Sequence, residues 1–294
     1  MGLRPSMPPA ETWLPLVELA LAEDIGPGDA TSALLIDPDR QGDAVIEARQ
    51  TLVVCGLEVA AEVFQQLDPD VAFHPRVRDG DRAAAGDVLV ELGGNLRALM
   101  AGERTALNFL LRLCGVATLT RRFVDAVAGT SARIVDTRKT LPGWRTLDKY
   151  ATAVGGACNH RVGLFDGILL KDNHVALAGG VVPAVKAALA AAPHNLRVQV
   201  EVESEQDAVA AVEAGVDSLL LDNRTPDDLR RIAGRLQGRA TLEASGGVTL
   251  ENVREIAATG VHRISIGALT HSAPGADVAL EIDLGARPSG GVEA

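Results

Sequence analysis

Lysine is scarce in this chain of 294 residues: of 28 basic side chains only Lys139, Lys149, Lys171 and Lys186 are lysines. Cysteine is sparse too. Cys55, Cys114 and Cys158 lie far apart, with no C-x-x-C pair. An odd, scattered set excludes a disulfide framework and a paired-cysteine zinc site, and fits reduced thiols in a cytoplasm. All three are expected as small core residues. No uncharged run reaches the roughly 18 residues of a membrane span. The stretch Val175 to Val185 is interrupted by two glycines and a proline. Residues 1–10 hold three prolines and no apolar h-region, so no signal peptide is expected. Net positive charge is also missing: the formal charge is −11. That argues against wrapping nucleic acid through bulk electrostatics, but leaves room for anionic small molecules in a local basic pocket. Low-complexity sequence is confined to the Gly- and Pro-bearing tail from Ala286, which is expected to fray.

What remains is ordinary globular usage, 47% hydrophobic and 23% charged, enough for a sizeable core in one large or two modest domains. The pattern predicts a helix over 11–23 capped by Thr12, a loop over 24–29, a strand over 43–48, a helix over 59–67, and strands over 71–77 and 87–92. This half reads as a small α+β domain. The run from Arg78 to Leu89, with turns at Gly80 and Gly86, is similar to biotinyl and lipoyl carrier modules. Those modules need a hairpin lysine, and no lysine precedes Lys139, so carrier function is excluded while a related sandwich shape stands.

From about residue 130 the period changes. Short β-rich runs at 133–136, 167–170, 197–200, 218–221, 240–242 and 263–266 alternate with helical patterns at 182–191, 205–214, 226–235 and 250–259. This βαβα order implies a parallel sheet covered by helices. Polar or glycine residues follow every run: Thr137-Arg138-Lys139, Lys171, Glu201 with Glu203, Asp222, Ser245-Gly246-Gly247 and Gly267. That is the arrangement of a barrel mouth built from the loops after the strands. A doubly wound open sheet also gathers ligands at strand ends, but opens with an early glycine-rich turn. Here the glycine pair is late, which favours the barrel. The expected class is α/β: a C-terminal (β/α) barrel of six to seven strands, closed or incomplete, over 116–271, with an N-terminal α+β sandwich domain over 1–115. The tail, 272–294, is expected to pack back on the N-terminal domain.

Three of the four lysines fall between 139 and 171, and residues 133–174 carry seven basic against four acidic side chains. In a chain that otherwise chooses arginine, this clustering implies an anionic substrate. A solvated face of surface ion pairs is the plain alternative. Glu201 and Asp222 end neighbouring strands. They suit Mg²⁺ shared with a substrate phosphate, or ion pairs with Lys171 and Arg161. Ser245-Gly246-Gly247 and Ile266-Gly267-Ala268 are successive late loops of the kind that grips phosphate. Cys158 and His160 make no dependable nucleophile pair. Lys171 alone would suit a Schiff-base aldolase.

Taken together, several motifs are similar to those of one family. They are 23–32 (EDIGPGDATS), 102–108 (GERTALN), 136–143 (DTRKTLPG), 149–151 (KYA), 159–164 (NHRVGL), 170–174 (LKDNH), 201–203 (EVE), 221–223 (LDN), 243–247 (EASGG) and 266–268 (IGA). In order and spacing, from residue 11 to about 284, the chain resembles quinolinate phosphoribosyltransferase, also called nicotinate-nucleotide pyrophosphorylase (carboxylating). Thr152 and Leu170 depart from the usual Val and Ile, at no charged position. The resemblance implies a Mg²⁺-dependent transfer in NAD biosynthesis. The pyridine nitrogen of quinolinate attacks C1 of phosphoribosyl pyrophosphate, pyrophosphate leaves, and the 2-carboxylate departs as CO₂ to give nicotinate mononucleotide, with no organic cofactor. It implies that Arg138, Arg161 and Lys171 hold the dicarboxylate with His160 beside them, that Thr137 is substrate-binding, and that Lys139 faces pyrophosphate. Glu201 and Asp222 would meet ribose or Mg²⁺, and Ser245, Gly246, Gly247, Ile266, Gly267 and Ala268 the 5′-phosphate. Lys139, Lys171, Glu201 and Asp222 are the catalytic candidates. It also implies a cytoplasmic homodimer in which Arg104, read here in the first turn of an amphipathic helix, reaches the partner's site. A paralogue acting on another pyridine acid, and a non-catalytic sensor of a phosphate ester, are the competing readings.

Overall fold

Alternating burial along Gln41–Ala48 sets the first sheet, because every second residue from Ala44 to Ala48 is buried and the intervening ones are not. The structure is a computed structural model and describes residues 4–283. The tail from Ala286 lies outside the described residues. In chain order the elements begin with α1 (Leu14–Ile25), α2 (Ala30–Leu35), β1 (Gln41–Ala48), β2 (Leu52–Val53), α3 (Leu57–Leu67), β3 (Ala72–Pro75), β4 (Arg82–Ala83), β5 (Val88–Asn95) and α4 (Leu96–Ala126). There follow β6 (Arg133–Val135), α5 (Arg145–Val154), β7 (Ile168–Leu170), α6 (Asp172–Leu177), α7 (Val181–Ala191) and β8 (Val198–Val202). The last described elements are α8 (Glu205–Glu213), β9 (Ser218–Asp222), α9 (Pro226–Arg235), β10 (Thr241–Ser245), α10 (Val253–Ala257), β11 (Arg263–Ser265), α11 (Ala268–His271) and β12 (Val278–Asp283).

Two compact units result: residues 4–118 with 146–155 and 273–283, and residues 119–145 with 156–272. In the first, an antiparallel sheet of order β12-β1-β5-β3 carries its core on one face. Thr12 does not cap the first helix. A 3-10 turn over Ala10–Thr12 precedes α1, and the Thr12 hydroxyl donates to the Pro9 carbonyl, 2.7 Å away. Asp29 does cap α2, accepting from the amides of Thr31 and Ser32. Cys55 and Cys114 are buried free thiols, and burial pushes the Cys114 thiol up to about 12.

The boundary expected at residue 115 falls inside α4, which runs unbroken from one unit into the other. Arg104 therefore lies well inside a helix rather than in its first turn. The segment α5 belongs to the first unit, although it sits between two barrel strands in sequence. There Asp148 is fully buried and takes a two-pronged bond from Arg112, and Tyr150 donates to Asp79 at 2.9 Å.

The second unit is a six-stranded parallel sheet of order β6-β11-β10-β9-β8-β7. An isolated parallel bridge pairs Val135 with Cys158, adding a one-residue seventh strand beyond β6. Among the described residues no ladder joins that bridge to β7, so a seam is left between residues 158 and 168. Cys158 is exposed, not a core residue, because no further strand covers its side of the bridge. The apolar core lies between strands and helices and draws on Val200, Leu219, Leu221, Leu242 and Ile264.

Candidate active site

Strand parity puts unusual residues on the other face. Barrel interiors are ordinarily filled by bulky branched side chains. Here Gln199 and Glu201 of β8, Glu243 and Ser245 of β10, and Ser265 of β11 replace them, beside Leu220 and Asp222 of β9. At the carboxyl ends of the strands this polar interior opens into a cavity of about 240 Å³. Thr137, Arg138, Lys139, His160, Arg161, Lys171, Glu201, Asp222 and Ser245, all expected from sequence, line it. Gly246 and Gly247 follow Ser245 in the next loop, and Ile266, Gly267 and Ala268 follow β11. Arg104 lies in the other unit, exposed, with Glu103 as an ion-pair neighbour at 3.9 Å.

The cations are crowded. Among the described residues the buried Nε of Arg138 has no hydrogen-bond partner. Burial, and then the positive charge of Arg138, lower the pKa of Arg161, against the pull of Asp166. Arg161 spends Nη1 on the Gly167 carbonyl at 2.8 Å. Arg145, to which the sequence gave no signal, donates to the carbonyls of Arg138 and Val162 and to the Thr140 hydroxyl, tying two mouth loops together.

His160 is held from below. Its Nδ1 accepts from the Arg161 amide at 2.8 Å, which leaves the ring proton on Nε2. Nε2 meets Gln199 Oε1 at 3.2 Å and faces Glu243 Oε1 at 3.6 Å, while Gln199 donates to Glu243 Oε2 at 3.2 Å. Glu243 is fully buried, and among the described residues its Oε1 has no hydrogen-bond partner. Its charge therefore has the imidazole and the Gln199 amide as neighbours. In Glu243→Gln the carboxylate charge is gone and a new N–H stands against either the Gln199 amide or the imidazole N–H, donor to donor, so Gln199 no longer holds the ring in place. Loss of one hydrogen bond to a charged group, worth roughly 1.5–3 kcal/mol, lowers kcat/KM about 10- to 100-fold. Steady-state kinetics beside an unchanged circular dichroism spectrum checks this.

The two carboxylates share one neighbourhood. Burial, and then the charge of Asp222, raise the Glu201 pKa above its ordinary value, with Lys171 opposing. Asn223 donates to Asp222 Oδ2 at 2.7 Å from a left-handed backbone (φ 51°). Arg224 spans the ends of β8 and β9 by donating to the carbonyls of Glu203 and Asp222. A raised carboxylate pKa destabilises the fold above the unfolded value and ceases to do so as the group protonates. Glu201→Gln is thus expected to raise the melting temperature at pH 7 and to leave it unchanged at a pH below the usual glutamate range. Thermal melts at the two pH values test it.

The glycines are positional. A side chain at Gly246 would bring Cβ within 2.1 Å of Asn223 Oδ1, and one at Gly267 within 2.8 Å of Lys139 Cδ. Lys139 is fixed further by the Thr270 hydroxyl, which donates to its carbonyl at 2.8 Å.

Family models for the N-terminal and C-terminal domains of quinolinate phosphoribosyl transferase match residues 29–114 and 116–281. The chain belongs to the quinolinate phosphoribosyltransferase family. It is 42% identical over 262 residues to the probable nicotinate-nucleotide pyrophosphorylase (carboxylating) of Bacillus subtilis (strain 168), covering 89% of this chain and 90% of that one. A protein of the same name from Synechocystis sp. is 39% identical over 280 residues, 94% of each chain. The crystal structure of NadC from Streptococcus pyogenes superposes with a TM-score of 0.91 at 36% identity, over 94% of this chain and 98% of that one. A nicotinate-nucleotide pyrophosphorylase from Francisella tularensis gives 0.89 at 37%, over 94% and 97%.

For a member of this family, sequence reasoning missed the supports rather than the contacts. Gln199 sits two residues before Glu201, the separation that puts both on one face of a strand. Glu243 lay within a quoted motif but had no role. Asn252, which donates to the Gly247 carbonyl at 2.9 Å and accepts from the Thr249 amide at 2.8 Å, shapes the late glycine loop.

Proposed function

We infer that this chain transfers the phosphoribosyl group of 5-phosphoribosyl 1-pyrophosphate to quinolinate with loss of CO₂, giving nicotinate mononucleotide and pyrophosphate. One observation carries the reading. Two guanidiniums, Arg138 with an unpartnered buried Nε and Arg161 with a pKa lowered by burial and by its neighbour, line one small cavity with Lys171. Crowded, desolvated cations are stabilised by a ligand with more than one carboxylate. Quinolinate has two on one ring.

The remaining roles follow from charge. Arg138, Arg161 and Lys171 hold the carboxylates, with Thr137 and His160 beside them, and so aim the pyridine nitrogen at C1 of the ribose. Lys139 faces the departing pyrophosphate and balances the charge that develops as the C1–O bond breaks. Glu201 and Asp222 contact the ribose hydroxyls and stabilise positive charge at C1. Backbone amides of Ser245-Gly246-Gly247 and Ile266-Gly267-Ala268 take the 5′-phosphate. Once the N–C1 bond forms, the positive charge of the pyridinium nitrogen stabilises the in-plane electron pair left at C2 as the 2-carboxylate departs as CO₂, and C2 takes a proton from solvent. Among the described residues no three His, Cys, Asp or Glu side chains form an all-protein metal cage. Glu201 and Asp222 do fit Mg²⁺, which uses one or two carboxylates plus substrate oxygens and water. The upward pull that the charge of Asp222 exerts on Glu201 is what a cation relieves. Bound there, Mg²⁺ would neutralise pyrophosphate oxygens.

The enzyme is proposed to act as a cytoplasmic homodimer in which Arg104 completes the partner's site. Among the described residues no helix is long and apolar enough to cross a membrane. The deciding assay supplies quinolinate, phosphoribosyl pyrophosphate and Mg²⁺ and follows CO₂ and nicotinate mononucleotide together, with nicotinate in a parallel run. Equal release of both products from quinolinate, and none from nicotinate, is expected. A folded chain without turnover on quinolinate overturns the reading.

A further inference from the structure

The opposite end of the same ring holds a larger cavity, of about 570 Å³, a size typical of small-molecule sites. Arg133, Ser218, Thr241 and Arg263 stand at the first residues of β6, β9, β10 and β11, and Arg197 immediately precedes β8; all five line this cavity. Catalysis by such folds takes place at the carboxyl ends of the strands; the two cavities share His160, Arg161 and Leu169, but the five residues at the amino-terminal ends lie outside the lining of the mouth. Its charges still lack an explanation. Arg133 and Arg263 are register partners on adjacent parallel strands, which sets two guanidinium side chains next to one another. Among the described residues neither guanidinium has a hydrogen-bond or ion-pair partner. Glu243, the other register partner of Arg263, directs its carboxylate to Gln199 and His160 instead. Arg197 donates to the Thr241 hydroxyl at 3.1 Å and pairs with Asp217 at 3.4 Å. Including Arg161, four guanidiniums line the cavity against one carboxylate, Asp166, in a chain of net charge −11.

Arginines at the amino-terminal end of a barrel usually serve stability by pairing with acids. Two in-register arginines with no acid do the reverse, so they favour a state with an anion between them. The donors come from several strands around the ring and include the hydroxyls of Ser218 and Thr241. That spread suits a group with three or four outward oxygens better than one planar carboxylate. We propose that this cavity is a second anion site, which binds a phosphate-bearing small molecule through Arg133, Arg197 and Arg263.

The test uses the full chain and inorganic pyrophosphate as probe. The mouth is first disabled by Lys139→Ala with Lys171→Ala, and binding is read by isothermal titration calorimetry. One pyrophosphate per chain is expected to remain. Adding Arg133→Gln and Arg263→Gln weakens that event about 100-fold, since each removes a charge-assisted contact. With an intact mouth, the Arg133→Gln, Arg263→Gln variant keeps its turnover, and its melting temperature does not fall, because two crowded like charges are removed. Single Arg263→Gln serves if the double variant does not fold. Absence of binding by the mouth-disabled chain, or binding unaffected by the arginine changes, overturns the proposal. So does citrate binding as tightly as pyrophosphate, which would mark a carboxylate site. Turnover of quinolinate by the wild-type chain is measured separately, so failure of this site and failure of the catalytic reading give different results.

Discussion

Arg138→Met is expected to leave a folded protein whose kcat/KM for quinolinate is about 1000-fold lower. Among the described residues the buried Nε of Arg138 has no partner and its guanidinium makes no ion pair, so the side chain is held ready for a ligand. Removing one member of a desolvated charge pair costs about 2–5 kcal/mol, much of it from the charge left behind, here a substrate carboxylate. The fold should tolerate the change well, because Arg161 is relieved of a positive neighbour that already depresses its pKa. Arg138→Lys is expected to recover little. An ammonium supplies a point charge but not the planar fork that matches a carboxylate, and it has no Nε. Full activity in Arg138→Lys would mean that charge alone matters at this position. Steady-state kinetics on the two variants, with melting curves as a folding control, decides between these outcomes.

The second large effect concerns Arg104. Its side chain is well exposed, and the carboxylate beside it, Glu103 at 3.9 Å, is a weak neighbour. Arg104→Ala should fold normally and lose nearly all turnover, as should Lys171→Ala. Mixed in equal amounts under conditions of subunit exchange, the two inactive variants are expected to regain about a quarter of wild-type activity. In the proposed two-fold homodimer half of the pairs are then mixed, and each mixed pair has one of its two sites intact. No recovery, with exchange demonstrated by a tagged subunit, removes Arg104 from the partner's site. Retained activity in Arg104→Ala alone removes it from catalysis altogether.

The parallel sheet was legible because glycine and polar residues punctuate each strand at its carboxyl end. The punctuation also located most of the mouth, since the same residues that end the strands carry the charge. Where reading failed, the physics differs from case to case. Gln199 and Glu243 escaped because alternation is read as apolar inside and polar outside, and this ring inverts that rule. The helix α5 was assigned to the barrel by its place in the chain. Its buried Asp148 and Tyr150 find their partners, Arg112 and Asp79, more than thirty residues away, which no local pattern reports. Thr12 had the right chemistry for a cap, but Pro9 and Pro15 around it favour a tight turn first. Cys158 looked like a small core residue because cysteine usually is one; its exposure comes from the missing neighbour strand, a property of the ring and not of the residue.

That missing neighbour bears on how mutants in this region are to be read. Across the seam, residues 159–167 are stitched by side chains in place of a ladder. Arg161 holds the Gly167 carbonyl, Asp166 takes the amides of Val162 and Gly163, and Arg145 holds the Val162 carbonyl. A ladder spreads its bonds over many backbone groups and is indifferent to most substitutions, whereas a stitch disappears with one side chain. Truncating Arg161 therefore removes a ligand contact and loosens the loop that presents His160, and the two losses are not additive. A double-mutant cycle between Arg161 and Asp166, run once with ligand and once without, separates the part of the loss that belongs to the chain's own closure from the part that belongs to recognition.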